Sequence, residues 1–244
     1  MPKDVKAYHE LVQKPWGRMF YDLIYKQLQL PDNPRLRILD FGSGFGVCAD
    51  YYAKSHDVTA IEPNADMIAL RFSANSYEQI HDDITALGRF KGEFDVVICH
   101  NVLEYAHNKK EIFDALTYTV KPGGLLSIVK HNLFGRIMAA AVFDEDPKKA
   151  MALYDDVRSD QSSTFGDRYL YSNDDLLTWA NKNKLTAKAK YGVRAFFALT
   201  QNNEIKSCDD WYKNMLSLEY KMGNIDEFKK IAFLNHFIFG KEYE

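Results

Sequence analysis

The stretch RILDFGSGFG, residues 37–46, decides the fold of this chain. It starts with apolar residues typical of a buried strand, places the acidic Asp40 near the end of that strand, and continues through Gly42, Gly44 and Gly46. A strand that runs through a glycine-rich turn into a helix is typical of nucleotide-binding α/β proteins, because the turn lets a ligand lie against the backbone. The stretch therefore predicts a ligand site at the end of the first strand of a sheet.

The composition of the 244 residues limits the classes of protein to consider. Hydrophobic residues make up 46% and the formal net charge is -3, which gives no general attraction to nucleic acid. No window approaches the roughly 20 uninterrupted apolar residues of a membrane span, and the polar start, MPKDVKAYHE, has no signal core. Cys48, Cys99 and Cys208 are widely spaced, as in a reducing compartment. We therefore expect a cytoplasmic protein with no membrane partner and no bound metal.

Strands and helices alternate through the first half of the chain. The apolar patterns predict strands at residues 37–41, 57–63, 77–80, 94–100 and 125–130, and helices at residues 47–54, 65–75 and 109–120. The KPGG segment, residues 121–124, predicts a turn between the last helix and the last of these strands. This alternation predicts an α/β fold with a doubly wound, mostly parallel sheet.

The alternation breaks after Lys130. Residues 131–170 have mixed charge and predict an inserted cap of short helices and loops over the substrate. Further along, the patterns predict a helix at 172–184, a sixth strand at 185–196, an amphipathic helix at 208–222 and a final strand at 232–242. We expect a single domain over residues 1–244, with an N-terminal helical cover at 1–35 and a helical insertion at 193–232.

The acidic residues at the ends of the first two strands indicate the ligand. Glu62 closes the second strand, where it can accept hydrogen bonds from two ribose hydroxyls. The glycine turn has no positive side chain for a phosphate. A nucleoside with a cationic tail and no phosphate suits this acidic rim, and S-adenosylmethionine is such a ligand.

Five motifs, in this order, resemble the class I S-adenosylmethionine-dependent methyltransferases: LDFGSGFG (39–46), VTAIEP (58–63), HDDI (81–84), FDVVICHNVLEYA (94–106) and VKPGGLLSIV (120–129). The resemblance covers about the first half of the chain. It implies a Rossmann-like fold of seven strands whose last strand is antiparallel.

The same resemblance implies roles for individual residues. The backbone of Gly42, Ser43 and Gly44 would cradle the methionine part of the cofactor, beside Asp40, and Glu62 would hold the ribose. Asp83 and Ile84 would flank the adenine. His100, which ends the fourth strand, would lie by the methyl donor.

A narrower resemblance covers most of the chain. The segments WGRMFYDL (16–23), HNVLEY (100–105), SIVKHNLFGRIM (127–138), YGVRAF (191–196) and LSLEYKM (216–222) are similar to the bacterial tRNA carboxymethoxyuridine methyltransferases, which esterify a carboxylate on a wobble-position uridine. In that family an arginine before the first strand meets the cofactor carboxylate, and Arg18 occupies the matching place, with Trp16 and Tyr21 seating the segment. Small-molecule O-methyltransferases share much of the first half.

The acceptor and its chemistry stay open at this point: tRNA, a small molecule, or no acceptor at all if the protein only binds the cofactor. A carboxylate acceptor is ionised at neutral pH and needs only groups that hold one of its oxygens. The candidates for this role are Lys130, His131, Asn132, Arg168 and Arg194. A hydroxyl acceptor needs a base, for which His100 and His131 are the candidates. Each of these residues also has a structural interpretation, as a surface charge or a buried hydrogen-bonding group.

Overall fold

A computed structural model describes residues 4–155, 160–162 and 166–243. Within these ranges the strands are β1 (Arg37–Phe41), β2 (Asp57–Ile61), β3 (Glu78–Ile80), β4 (Phe94–His100), β5 (Val120–His131), β6 (Asp160–Ser162), β7 (Gly166–Arg168), β8 (Leu185–Val193) and β9 (Leu234–Lys241). Strands β6 and β7 form a small antiparallel pair, and the others form one seven-stranded sheet.

The helices lie before, between and after these strands. They are α1 (Val5–Gln13), α2 (Pro15–Leu28), α3 (Val47–Tyr52), α4 (Ala65–Ala69), α5 (Lys109–Thr119), α6 (Leu133–Met138), α7 (Pro147–Asp155), α8 (Asn173–Lys182), α9 (Asp209–Met222) and α10 (Asp226–Ile231). Short 3₁₀ turns cover Ile84–Arg89, Leu103–Tyr105, Phe197–Leu199 and Ile205–Ser207, and a π turn covers Ala139–Phe143. Among the helices in the described ranges, none has both the length and the apolar character needed to cross a membrane.

The order of the strands in the sheet is β3-β2-β1-β4-β5-β9-β8. The pairs from β3 to β5 are parallel, whereas β9 runs antiparallel to both β5 and β8. The predicted doubly wound sheet with an antiparallel last strand is therefore confirmed. Because the strand order reverses between β1 and β4, their carboxyl ends form the crevice where ligands bind in such sheets.

The core lies on both faces of the central strands. In β4, Val97 and Cys99 pack into the cluster that contains α5 and α8, whereas Val96 and Ile98 face the cluster that contains α3. A strand covered on both faces needs apolar residues at successive positions, which explains the run FDVVICH. Each fully buried valine or isoleucine contributes about 1.5–3 kcal/mol to the free energy of folding.

Two predicted elements differ in length from the observed ones. The helix predicted at 65–75 ends at Ala69, because the N–H of Phe72 donates to the carbonyl of Phe45 at 2.8 Å and draws the chain back over the glycine turn. The predicted KPGG turn is part of β5, which begins directly after α5. A positive φ of 78° at Gly123 and a register shift opposite β4 allow the strand to continue there.

The segments outside the sheet surround the carboxyl ends of its strands. Residues 131–170, predicted as a cap, contain α6, the π turn, α7 and the β6–β7 pair, while residues 156–159 and 163–165 of that prediction lie outside the described residues. Helix α2 packs against α9, where the hydroxyl of Tyr212 donates to Asp22 at 2.7 Å. This packing brings the N-terminal helices together with the segment before β9.

Candidate active site

A cavity of about 850 Å³ lies at the carboxyl ends of β1 and β4. Most of the site residues predicted from the sequence line it: Asp40, Gly42, Ser43, Gly44, Glu62, Asp83, Ile84, His100, His131 and Arg194. The glycine turn and the ends of β1 and β2 form one end of the cavity, which we call the acidic end. The other part lies at the end of β5, and its cations come from the cap and from the segment after β8. We call that part the cationic end.

The glycines of the turn are required by backbone conformation and by close contacts. Gly42, Gly44 and Gly46 have φ values of 69°, 58° and 68°, which side chains other than glycine rarely adopt. A Cβ atom on Gly42 would lie 2.4 Å from Cγ2 of Val102, and one on Gly46 would lie 2.2 Å from the hydroxyl of Tyr77. The backbone of the turn is therefore in close contact with the side chains of Val102 and Tyr77.

Replacing Gly42 with alanine is expected to lower the free energy of unfolding by about 1–3 kcal/mol, because a non-glycine residue is strained at positive φ and its Cβ would overlap Val102. Urea denaturation measures the effect. Gly88→Ala is the control, since a Cβ at that position meets no atom within 4 Å. Equal unfolding midpoints for wild type and Gly42→Ala would contradict this account of the turn.

Glu62 ties the glycine turn to the loop after β2. Its Oε2 accepts the N–H of Gly44 at 2.8 Å and its Oε1 accepts the N–H of Asn64 at 2.9 Å. Burial raises the pKa of Glu62, and these two bonds lower it. Each carboxylate oxygen has a further lone pair, so the side chain can accept two hydroxyl groups from a ligand.

Two buried polar atoms of the acidic end have no hydrogen-bond partner within the described ranges: Oδ2 of Asp40 and Oγ of Ser43. An unsatisfied buried polar group costs about 1–3 kcal/mol. Burial raises the pKa of Asp40 to about 7, while the N–H of Ala49 lowers it and Glu62 raises it. These atoms fit a ligand that brings hydrogen-bond donors and a positive charge.

The side of the acidic end near β4 is suited to a flat, mostly apolar ring. Asp83 begins the 3₁₀ turn Ile84–Arg89 by accepting the N–H of Thr85 at 3.0 Å. Apolar side chains line the cavity on both sides of this turn: Pro63, Ile84, Val102, Ala106 and Ile112. An adenine ring placed here would have an apolar contact on its face and a carboxylate at its edge.

Arg194 dominates the cationic end. Its side chain is 1% exposed, and its guanidinium carbon lies 4.3 Å from the ring centroid of Trp16 and 4.9 Å from that of Phe233. In the part of the chain that the structure describes, its Nε and Nη1 have no hydrogen-bond partner. Burial lowers its pKa to about 9, which keeps it charged at neutral pH.

Glu219 holds the turn that follows Arg194 without neutralising the guanidinium through a direct bond. The Glu219 carboxylate, 0% exposed, accepts the N–H groups of Ala195, Phe196 and Phe197 at 2.8, 2.8 and 2.7 Å. Arg194 itself has a φ of 58°, so the turn needs this support. The arrangement leaves the donors of Arg194 available to a ligand in the cavity.

Further cations accompany Arg194 in the lining of the cavity: Arg136, Lys149, Arg168 and Lys206. Nη1 of Arg168 donates to Nε2 of His131 at 3.3 Å, and Lys149 pairs with Asp144 at 2.6 Å. The carboxylates Asp40, Glu62 and Asp83 line the other end. The cationic end is therefore positively charged inside a protein whose net charge is negative.

Three predicted site residues, Arg18, Lys130 and Asn132, do not line the cavity. Lys130 is buried, and its Nζ donates to the carbonyl of His131 at 3.2 Å and to Oδ1 of Asn173 at 3.3 Å. Trp16 and Phe20 share the inward face of α2, at a spacing of four residues. Arg18 lies between them in sequence and is exposed, with its guanidinium carbon 4.7 Å above the ring of Tyr212. Asn132 is buried and donates to the carbonyls of Lys230 and Ala232, both at 2.8 Å. Arg18 thus follows the periodicity of α2 away from the cavity, and Asn132 holds the start of α6 to the segment before β9.

Several residues of the cavity were not predicted from the sequence. Lys206, Tyr8 and Phe233 lie on helices or connecting segments outside the quoted motifs, and Arg136 lies within SIVKHNLFGRIM, where the resemblance implies no role for it. The packing of these segments brings the four residues to the cavity. No group of three or more His, Cys, Asp or Glu side chains in the described residues is arranged to hold a metal ion.

Comparisons with known proteins agree with this geometry. A family model described as "Methyltransferase domain" matches residues 16–186. The tRNA 5-carboxymethoxyuridine methyltransferase of Escherichia coli K12 is 25% identical over 203 residues, 76% of this chain and 72% of that protein. The ubiquinone biosynthesis O-methyltransferase of Rickettsia typhi is 29% identical over 142 residues, 54% of this chain and 58% of that protein.

The fold has matches among solved structures as well. A SAM-dependent methyltransferase from Archaeoglobus fulgidus superposes with a TM-score of 0.60 at 14% identity, covering 92% of this chain and 94% of the other. The match to the family model covers well over half of the chain, including the glycine turn and the ends of β2, β4 and β5. The chain therefore belongs to the methyltransferase domain family, and it is a methyltransferase whose cofactor is S-adenosylmethionine.

Proposed function

We propose that this methyltransferase esterifies a carboxylate, and that the carboxylate belongs to a modified uridine of tRNA. The observation that carries the proposal is Arg194, a buried cation in the cavity whose Nε and Nη1 have no partner in the described ranges. A guanidinium presents a planar fork of donors that matches the two oxygens of a carboxylate. The 25% identity to the tRNA 5-carboxymethoxyuridine methyltransferase of E. coli supports the choice of acceptor.

The residues of the acidic end fit the cofactor. Asp40 and Ser43 would hold the amino-acid part with the backbone of Gly42 and Gly44, and Glu62 would accept the ribose hydroxyls. When bound, S-adenosylmethionine supplies a methyl group on a positively charged sulfur that is already an activated leaving group. The protein's task is then to align the acceptor with that methyl group.

The cationic end suits a carboxylate acceptor on chemical grounds. A carboxylate with an ordinary pKa near 4 is ionised at neutral pH, so no residue has to remove a proton. Arg194 can donate to both carboxylate oxygens, and each oxygen keeps a further lone pair that can attack the methyl group. The rings of Trp16 and Phe233 beside Arg194 offer apolar surface to the base that carries the carboxylate. The other cations of the lining provide the local positive charge that an RNA ligand needs.

A second candidate is O-methylation of a small-molecule hydroxyl, and His100 favours it. His100 lines the cavity, and its Nδ1 is buried with no hydrogen-bond partner among the residues described. A lone pair there could accept the proton of a hydroxyl. The 29% identity to the ubiquinone biosynthesis O-methyltransferase of R. typhi covers about half of each chain.

The test is transfer of labelled methyl from S-adenosylmethionine to bulk tRNA and, separately, to a small-metabolite extract. Carboxylate esterification is expected to label tRNA, and mild alkali is expected to release that label as methanol. At saturating S-adenosylmethionine the rate is expected to be constant above about pH 6, because the acceptor pKa is near 4 and burial keeps the pKa of both His100 and His131 well below the usual histidine range. Alkali-stable label in a metabolite would establish the hydroxyl candidate instead.

The affinity for S-adenosylmethionine is expected to rise by about tenfold or more between pH 5.5 and 7.5. Asp40 is uncharged below its pKa of about 7, and only its ionised form attracts the ammonium group of the cofactor. Binding of the cofactor therefore lowers the pKa of Asp40, and below about pH 7 it releases a proton from Asp40. Isothermal titration in buffers of different ionisation enthalpy measures both effects, and Asp40→Asn should abolish both. A pH-independent affinity in the wild type would contradict this role of Asp40.

A further inference from the structure

Three buried polar side chains, Gln27, His236 and Ser127, and the partly buried His100 form a hydrogen-bond relay from α2 to the cavity, through β9, β5 and β4. Nδ1 of His236 lies 2.8 Å from Oε1 of Gln27, and Nε2 of His236 lies 2.8 Å from Oγ of Ser127. The same Oγ lies 2.8 Å from Nε2 of His100. Gln27 is 3% exposed, and Ser127 and His236 are 0% exposed.

The direction of each hydrogen bond in the relay follows from its outer end. Nε2 of Gln27 lies 3.1 Å from the carbonyl oxygen of Gly192, which can only accept, so the amide nitrogen of Gln27 faces that carbonyl and Oε1 faces His236. His236 therefore carries its proton on Nδ1 and accepts on Nε2. The Ser127 hydroxyl has one hydrogen, which it donates to His236, so it must accept from Nε2–H of His100.

The relay has this direction only if each histidine carries a single proton. Burial lowers the pKa of His236 to about 3. Burial, together with the neighbouring His236, also holds the pKa of His100 well below its ordinary value. Both rings are therefore neutral at physiological pH, and the lone pair of His100 lies on Nδ1.

His131, at the end of β5, is held in the opposite neutral tautomer to that of His100. A guanidinium can only donate, so the bond from Nη1 of Arg168 at 3.3 Å leaves the lone pair of His131 on Nε2. Burial lowers the pKa of His131 well below its ordinary value, and Arg168, Arg136 and Arg194 lower it further. The neutral ring then carries its proton on Nδ1.

The Nδ1 atoms of His100 and His131 are both available to a ligand. His100 and His131 end neighbouring parallel strands, and both line the cavity. In the described part of the chain, Nδ1 of each ring is buried and has no hydrogen-bond partner. The same atom thus offers an acceptor on His100 and a donor on His131.

We propose that the two histidines bind complementary groups of their ligands. Nδ1 of His100 accepts a hydrogen bond from an N–H or O–H group, and Nδ1–H of His131 donates one to a carboxylate oxygen. Gln27, His236 and Ser127 are positioning residues that hold the tautomer of His100. The acceptor is then a carboxylic acid, and the N–H or O–H comes either from the same molecule or from the ammonium group of the cofactor. His131, whose lone pair is bound to Arg168, is not a base. The carboxylate in this inference rests on the proposed function.

Nitrogen-15 NMR of the full-length protein with labelled histidine tests the tautomers, since a protonated ring nitrogen and one with a lone pair have well-separated shifts. We expect Nε2–H on His100 and Nδ1–H on His131 and His236, assigned by single replacements and constant between about pH 6 and 8. An Nδ1–H form of His100, or a mixture of its two forms, overturns the inference. The spectrum needs no acceptor, so it can fail or succeed independently of the proposed function.

Ser127→Ala removes the hydroxyl that receives Nε2–H of His100. We expect a mixture of tautomers at His100 and an unchanged signal from His131. Thr117→Val is the matched control, because it removes another buried hydroxyl, which donates to the Phe113 carbonyl away from the cavity. Gln27→Leu acts at the other end of the relay, where it removes the acceptor of Nδ1–H of His236. We expect a mixture of tautomers at His236, and this variant replaces Ser127→Ala if the latter does not fold.

Binding and kinetics of the same variants identify the source of the donor. Binding to only one tautomer of a mixture is weakened in proportion to the fraction of molecules in that form, so we expect an effect of about two- to tenfold. If the donor is the cofactor ammonium, Ser127→Ala weakens S-adenosylmethionine binding by this factor. If the donor is on the acceptor, cofactor affinity is unchanged and KM for the acceptor rises with little change in kcat. If the His100 tautomer changes but cofactor affinity and KM for the acceptor both stay at their wild-type values, His100 does not recognise the donor group.

Discussion

Glu62→Ala is expected to weaken the binding of S-adenosylmethionine by about two to four orders of magnitude. In the proposed site the carboxylate of Glu62 accepts two ribose hydroxyls, and hydrogen bonds to a charged group contribute about 1.5–3 kcal/mol each. The same carboxylate holds the N–H groups of Gly44 and Asn64, so its removal also frees the glycine turn. Isothermal titration measures the loss.

Glu78→Ala is the matched control for this measurement. Glu78 lies on the neighbouring β3, where its carboxylate accepts the hydroxyl of Thr59 at 3.0 Å, and it does not line the cavity. Its replacement should leave the affinity unchanged. If Glu62→Ala and Glu78→Ala both bind the cofactor like the wild type, the ribose is held elsewhere.

Arg194→Met is expected to lower kcat/KM for the acceptor by about two to four orders of magnitude while leaving the free protein at least as stable as the wild type. Loss of a forked contact with a carboxylate removes two charge-assisted bonds of about 1.5–3 kcal/mol each. In the free protein, the buried Nε and Nη1 without partners cost about 1–3 kcal/mol each. Their removal offsets the loss of cation–π contacts to Trp16 and Phe233, which contribute about 0.5–2 kcal/mol.

Activity and thermal melting are measured on the same preparation. Arg37→Met is the control, since Arg37 is an exposed arginine at the amino end of β1, paired with Glu93 at 3.0 Å, and should change neither quantity. Arg194→Lys should recover little activity, because an ammonium lacks the planar fork. A large fall in melting temperature with Arg194→Met would show that the arginine is structural rather than a ligand for the acceptor.

The fold could be predicted because local signals agree with it along the first half of the chain. The run FDVVICH indicates a strand covered on both faces, and the glycines after Phe41 fix the turn through their backbone conformation alone. Lengths were less predictable. Helix α4 is cut short by a contact between Phe72 and Phe45 that no local pattern contains.

The two ends of the cavity differed in how far the sequence could predict them. The acidic end comes from adjacent strand ends, so Asp40 and Glu62 could be placed by counting along the chain. Whether Arg18 faces the cavity depends on the rotation of α2 about its axis. The packing of α2 against α9 sets that rotation, and no sequence pattern indicates it. The sequence supports two interpretations of Arg194, a surface charge or an anchor for the acceptor, because its neighbours Trp16 and Phe233 lie far from it in sequence. The His100 tautomer depends on partners from three other elements.

The way Arg194 is enclosed has a consequence for the order in which the protein becomes active during synthesis. The glycine turn and strands β1 to β5 are complete when little more than half of the chain has left the ribosome. One of the rings beside Arg194 belongs to Phe233, and His236 of the relay lies on β9, after every other strand. A nascent or truncated chain therefore contains the residues that we propose to hold the cofactor before it contains the whole of the proposed acceptor site. On this proposal, we expect methyl transfer only once β9 has inserted between β5 and β8.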